Sequence, residues 1–508
     1  MRVALVLLLV LVACVARAEA TVGVNAPSAP FAVQQAATVI TAALTFIGPR
    51  ALEEASAGKL AMWGLGAPAA LDDTLSTELR SGTVVLMQQQ RILFQTPAPE
   101  ARDATAWGVV AAEMLNAASG ASTVVREIGT DGIMSAFFDE LFNHLDPYSR
   151  YVAPAPAGVD RARRSGEAGV GMTVRRAGAG FVVADVNADG PAAEAGIQVG
   201  DRVLAVDDQA TAGETLDTVH SWIVGIEGTD VALTVRGRSG STKVMELERL
   251  VLPPETVFAG RRGDVLLIRI TGFSADTAAR FKRELQRFLG PGARPATRGV
   301  VIDLRGNRGG LLRQAVAATG DLLDAGTIAT TAGRDPNAAH VWHAEDSDLA
   351  GARPVVVLVD GRSASAAEVM AAALADTRRG VVIGSATLGK GLVQSIQVLP
   401  DNGELFVSWS RILAPGGWPL QGLGVMPQVC TSFGPEQTNQ QLAGLEHGDN
   451  ALSAVLTRHR AARAPVPPSE IVAVRAACPA AQGSDADLVA ARWLIAHPKA
   501  YAAARLPP

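Results

Sequence analysis

Between residues 254 and 435 the chain repeats one rhythm, a short apolar run followed by a stretch with helical spacing. Residues 265–270 read as a strand, 276–289 as a helix, 299–304 as a strand, 311–323 as a helix and 354–359 as a further strand. Short apolar runs suit strands, and the helices between them supply the crossovers that parallel strands need. The pattern predicts an α/β core of mixed, largely parallel βα units with helices around the sheet.

The strand at 354–359 runs into Ser363-Ala-Ser365-Ala-Ala-Glu368, which opens an alanine-rich helix. A second apolar run at 381–384 leads to Thr387-Leu-Gly389-Lys390-Gly391-Leu-Val-Gln394. A serine hydroxyl attacks poorly until a neighbour takes its proton. A lysine can do so only when neutral, and its ordinary pKa is about 10.4. Burial disfavours the ammonium; reaching roughly 7–8 takes about 3–4 kcal/mol of differential stabilisation. Gly389 and Gly391 add no bulk beside the lysine, and the apolar strand and the alanines offer a dry wall. Gln394 can orient the amine without charge, whereas a carboxylate there would hold it protonated. Ser363 and Ser365 satisfy this chemistry equally.

Other readings fit parts of the stretch. Residues 384–390 match the first seven positions of a phosphate-binding loop, but Gly391 stands where Ser or Thr would bind magnesium, and strand rather than helix follows. Gly361-Arg-Ser363-Ala-Ser365 approaches a nucleophile elbow with serine for the second glycine. A triad would then need a histidine; His447, His459 and His497 lie in a polar or alanine-rich tail, and His340 and His343 in a loop-like region before the serine. An alanine-rich core helix with a surface lysine would also give the pattern.

Ser-Ala-Ser-Ala-x-Glu followed by Gly-Lys-Gly-x-Val-Gln resembles the carboxyl-terminal processing (tail-specific) serine proteases. In that family the catalytic serine is the second of the run, and the interval to the lysine equals that from Ser365 to Lys390. The resemblance therefore implies Ser365 as nucleophile, Lys390 as base and Gln394 as the third active-site residue. Ala367 departs from many members, which carry serine there. Asp303-Leu-Arg305-Gly-Asn307-Arg308-Gly309-Gly310 reads on its own as a glycine turn closing a βα unit, at a helix start that favours negative charge. It is similar to the family's oxyanion loop, with Arg308 where proline is common. The resemblance implies that a Gly309 or Gly310 amide joins that of Ala366 in holding an oxyanion, without choosing between the glycines. Residues 422–427 are similar to the family's closing segment, with Gln428 for aspartate.

Gly169-Val170-Gly171-Met172 opens a module of alternating strands at 172–174, 181–186, 203–206, 231–235 and 244–247. A proline-led helix follows Gly190, and a second carries Val219, His220 and Ile223. The module resembles a PDZ domain. By that resemblance Gly169, Val170, Gly171 and Met172 form a nest of N–H groups for a peptide's terminal carboxylate. The peptide then adds as a strand beside 172–174, above Val219 and Ile223. His220 either touches that ligand or is simply half-exposed. Arg161 to Arg164 read as a solvated linker, with contact to an acidic group as the alternative. Leu145-Asp146-Pro147-Tyr148-Ser149 stops a helix begun at Ile133 and is similar to the family's segment before its PDZ domain, with Tyr148 for histidine.

The 508 residues allow about three domains. Residues 1–20 read as an export signal: Arg2, an apolar run at 3–13, and a small-residue cleavage site at 16–18 or 18–20. The run is too short to span a bilayer comfortably. Leu11-Val-Ala-Cys14 also resembles a lipoprotein box, so membrane contact is expected only through lipidation at Cys14. An exported setting permits a Cys430–Cys478 disulfide, and two separate buried thiols fit as well. The expected division is 21–160 as an N-terminal helical region, 161–253 as the PDZ domain, 254–435 as the serine protease core and 436–508 as a C-terminal helical tail. A net charge of −5 without a long basic run argues against nucleic acid. No cofactor or metal is required. The expectation is an exported, periplasmic serine endopeptidase acting on protein or peptide substrates with a free C-terminus, with an adaptor protein as a further partner. The competing expectation is a non-catalytic PDZ scaffold on an inactive protease fold.

Overall fold

The computed structural model describes residues 30–506, apart from positions 188, 295, 346 and 347. The expected export signal and Cys14 lie outside the described residues. The centre of the molecule is a six-stranded sheet in the order Val257–Arg262, Val265–Ile270, Gly299–Asp303, Val355–Val359, Gly380–Gly384, Val429–Cys430. The first pair is antiparallel and every later pair is parallel. The three strands from Gly299 to Gly384 are buried at every residue, which accounts for their lack of polar alternation.

Alternate residues of these strands face opposite layers. Val300, Ile302, Val355 and Val357 pack with the helices Thr277–Leu289, Leu312–Gly320 and Ala366–Asp376. Val301, Val356, Leu358 and Ile383 pack with Leu442, Leu494 and Tyr501, from the helices Pro435–Glu446, Asp485–Ala496 and Pro498–Ala504. The tail is helical as read, and its helices form the layer of the core on this face of the sheet. Cys430, on the edge strand, is disulfide-bonded to Cys478 in that tail, with S–S at 2.02 Å.

A second, antiparallel sheet gathers strands that the sequence shows singly, at 404–413 and after Gly391, but not as one sheet. Its order is His340–His343, Thr327–Ala332, Glu404–Leu413, Leu392–Val398, and the short strand Arg150–Val152 also pairs with Glu404–Leu413. His340 and His343 thus sit on a strand, not in a loop.

The N-terminal region contains the helices Val33–Arg50, Ala104–Ala121 and Gly129–Asn143, but Leu75–Arg80, Thr83–Gln88 and Arg91–Pro97 form a three-stranded antiparallel sheet. The helical expectation fails there because Ser81 and Gly82 both take positive φ, 45° and 79°, the geometry of a tight hairpin turn. The region's apolar side chains join Leu405 and Val407 of the second sheet in one cluster.

The PDZ domain has the strand order Thr242–Glu248, Asp230–Arg236, Arg202–Val206, Gly180–Val186, Met172–Ala177, with Met172–Ala177 at the edge. The helix Pro154–Ser165 leads into it and crosses the expected boundary. Its Arg161 and Arg164 lie 3.0 and 2.6 Å from Glu404, whose side chain is 1% exposed. That segment is therefore not a solvated linker: the two guanidinium groups compensate a carboxylate that burial would otherwise make costly. From the core, Arg280 donates to Asn187 Oδ1 at 2.9 Å and Arg283 pairs with Asp189 at 2.9 Å.

Candidate active site

Gly299–Asp303 and Val355–Val359 are parallel neighbours, with Asp303 opposite Leu358. Their carboxyl ends release two turns side by side, where open α/β sheets hold ligands. The turns are stitched together by Gly306 N–H to Asp360 Oδ1 at 2.9 Å and Ala364 N–H to Asn307 O at 2.9 Å.

Geometry separates the two serines that chemistry left equivalent. The Ser363 hydroxyl is fully buried, donates to Leu304 O at 2.8 Å and accepts from Asp360 N–H at 3.0 Å. It fastens one turn to the other. Ser365 lines an open cleft of about 1290 Å³. It stands just before the helix Ala366–Asp376 with φ 56° and ψ −117°, a sparsely populated conformation for a residue with a side chain. A sharp strand-to-helix reversal of this kind lifts a hydroxyl above a sheet edge.

The strained turn is held by a residue whose role the sequence reading missed. Glu368 is fully buried. One of its oxygens accepts from Ser365 N–H (2.7 Å) and Lys390 N–H (2.9 Å), and the other from Gly389 N–H (2.7 Å) and the Thr387 hydroxyl (2.5 Å). One carboxylate therefore fixes the backbones of both the candidate nucleophile and the candidate base. Burial raises its pKa, while the Thr387 hydroxyl and the backbone donors oppose the shift. The available signal was a glutamate at the third position of a helix whose preceding residue is serine.

Lys390 and Gln394 line the same cleft as Ser365. Gly391 allows a close approach, since a β-carbon there would run into the backbone of Gln421. The lysine amine lies 3.3 Å from Gln394 Oε1. A register shift at Val393/Gln394 re-aims that part of the strand. Gln394 Nε2 donates to the carbonyl of Tyr148, and the Tyr148 ring centroid is 5.1 Å from the lysine Nζ. Asp146 fixes Tyr148 in turn: its Oδ1 accepts from Tyr148 N–H at 3.0 Å and from the Ser408 hydroxyl at 2.7 Å. The Leu-Asp-Pro-Tyr-Ser segment is thus more than a helix stop. Burial lowers the lysine pKa, helped by the positive charge of Arg150; Asp146 and Glu368 oppose it. The tyrosine ring also favours the ammonium, by about 0.5–1 kcal/mol, less than one pKa unit.

The expected oxyanion donors divide. Gly309 and Gly310 line the cleft, but Gly309 N–H already donates to Asn307 Oδ1 at 2.8 Å. A β-carbon at 309 would sit 2.9 Å from that of Ser365, so glycine is what lets this loop reach the serine. Ala366 is 1% exposed and does not line the cleft. Of the three, Gly310 alone both lines the cleft and has an amide without an acceptor among the described residues. The loop is anchored to the tail by Arg305, 2.7 Å from Asp303 and 2.9 Å from Asp487.

In the PDZ domain Gly169 pairs with Leu250, Gly171 takes φ 76°, and Met172 begins the edge strand. Val170, Val219 and Ile223 are buried in the domain's own core rather than lining an open groove. His220 Nε2 lies 3.0 Å from Glu167, both half-exposed. The phosphate-loop alternative lacks its helix, since Leu392–Val398 is a strand.

Residues 264–431 match peptidase family S41, and residues 182–237 match the PDZ domain family. A carboxy-terminal-processing protease of Bartonella bacilliformis is 33% identical over 288 residues, covering 56% of this chain and 66% of that protein, just under two thirds of its length. A chloroplastic C-terminal processing peptidase of Tetradesmus obliquus is 28% identical over 324 residues, covering 59% and 68%. Among solved structures, a photosystem II D1 C-terminal processing protease aligns over 75% of this chain and 97% of its own, at 24% identity and a TM-score of 0.36.

Proposed function

We propose that this chain, whose residues 264–431 and 182–237 match peptidase family S41 and the PDZ domain family, is a serine endopeptidase of the carboxyl-terminal processing type using Ser365 and Lys390. The observation that carries the reading is an amine of lowered pKa in the cleft of Ser365, oriented by the neutral amide of Gln394. Neutral Lys390 takes the Ser365 hydroxyl proton as Oγ attacks the scissile carbonyl. Gly310 N–H, on the cleft and without an acceptor among the described residues, is assigned to the oxyanion, with Ala366 N–H as the second donor that the family resemblance implies; one such donor contributes roughly 3–4 kcal/mol. The lysine ammonium returns its proton to the leaving amine as the C–N bond breaks. Water then attacks the acyl carbonyl while giving a proton to Lys390, and the lysine returns that proton to Ser365 Oγ as the ester C–O bond breaks.

Substrates are proteins or peptides captured by the C-terminus at the PDZ domain, where Met172–Ala177 pairs with Gly180–Val186 and offers its other edge to an added strand. An exported, periplasmic setting belongs to the same proposal and is supported by the Cys430–Cys478 disulfide. The test is degradation of an unfolded protein with an apolar C-terminus by wild type and Ser365→Ala. Loss confined to wild type is expected. Equal slow loss with both would leave only a peptide-binding scaffold.

A further inference from the structure

The cleft around Ser365 is lined by Arg150, Arg164, Arg308 and Arg313, and Asp160 is its one acidic lining residue among the described residues. Two of these arginines are committed. Arg164 pairs with the buried Glu404 at 2.6 Å, and Arg313 lies over the Trp342 ring at 5.7 Å. Arg150 stacks on Phe406 at 3.9 Å and donates weakly to Tyr148 O at 3.4 Å. Arg308 is exposed and has no hydrogen-bond or ion-pair partner among the described residues. It occupies the oxyanion loop one residue before Gly309, the glycine packed against Ser365.

We propose that this cleft selects substrates bearing a side-chain carboxylate within about two residues of the scissile bond, with Arg308 as its partner. The proposal rests on the proteolytic reading above. Position supports it: an extended substrate advances about 3.3 Å per residue, so a guanidinium beside the nucleophile's loop meets only side chains close to the cut. Electrostatics supports it from the other side. A lysine in the substrate would face the cleft arginines and the ammonium formed on Lys390, whereas a carboxylate is attracted. The acidic side chain belongs on the Arg308 side of the serine. A carboxylate against Arg150 would cancel the charge that helps keep Lys390 neutral and so would slow the reaction it was meant to assist.

The test is a panel of peptides sharing one apolar free C-terminus well downstream of the cut, identical but for Glu, Gln or Lys at each of three positions on either side of the cut. With wild type, one position near the cut should show kcat/KM roughly tenfold higher for Glu than for Gln, with Lys lower still. With Arg308→Glu the order should invert, a ratio that survives any overall loss of activity. Equal cleavage of all three residues at every position, or an unchanged order in Arg308→Glu, would overturn the inference and leave the protease reading standing. No cleavage of any peptide above the Ser365→Ala background would remove both readings.

Discussion

The two halves of the candidate site are built differently. Ser365 is held by its own neighbourhood: the Glu368 carboxylate three residues on, and the Asp360 and Asn307 turns between adjacent strands. Lys390 shares Glu368 through its backbone, but its amine is placed from far away. Gln394 is aimed by the Tyr148 carbonyl, 246 residues distant in sequence, and Tyr148 by Asp146 bound to Ser408. The nucleophile is thus rigid with the core, whereas the base depends on how the N-terminal region docks on the second sheet. Perturbing the serine side should cost stability and turnover together. Perturbing the lysine side should cost turnover, with a smaller loss of stability, and where charge changes beside the amine it should shift the pH dependence.

The comparison is broken most severely at Glu368. In Glu368→Gln an amide NH₂ must face two of the four donors that the carboxylate now accepts. We expect kcat to fall by about a thousandfold and the fold to lose roughly 3 kcal/mol. Urea melts and kcat measured together check this, and loss of turnover with full stability would show that Glu368 does not anchor the core. Gln394→Glu places a carboxylate against the lysine amine, which favours the ammonium. The rising limb of the kcat/KM–pH profile should move up by roughly one to two units, and turnover at neutral pH should fall about ten- to a hundredfold, with the melting temperature little changed. An unmoved limb would detach the glutamine from the base.

Asp146→Ala removes the acceptor for Tyr148, Ser149 and Ser408. The expected cost is about 1–2 kcal/mol of stability and a roughly tenfold loss of turnover, separable by chemical denaturation and initial rates. The smallest effect at neutral pH belongs to His459, buried under the closing loop and bonded to Gly424 O at 2.8 Å. Burial pushes its pKa down to about 4. The unfolded chain then takes up the proton first, so stability is complete above about 6.5 and drains away as pH falls towards 4, by about 3 kcal/mol. His459→Gln should flatten that acid slope while leaving turnover at pH 7 unchanged.

The parts legible in the sequence were those written in consecutive residues. Central strands such as Val355–Val359 announce themselves because burial on both faces demands unbroken apolar runs. The serine, lysine and oxyanion-loop segments were likewise visible as short strings, and the structure brings Ser365, Lys390, Gln394, Gly309 and Gly310 to one cleft. What stayed hidden depends on long-range partners. Nothing local says that Tyr148 will hold Gln394, or that alanine-rich helices in the tail will cover Val356 and Ile383. Helical spacing marks Val219 and Ile223 as one apolar face; only the PDZ resemblance set them beneath a peptide, and both pack in the domain's own core.

The chain contains only five lysines, at 59, 243, 282, 390 and 499, so a lysine-specific ¹³Cε NMR titration can follow the proposed base directly. The Lys390 resonance, identified by its disappearance in Lys390→Arg, should titrate well below the ordinary lysine value of about 10.4 and move upward in Gln394→Glu. A Lys390 midpoint at the ordinary value, in a protein that still cleaves its substrate, would contradict a neutral amine as the base for Ser365.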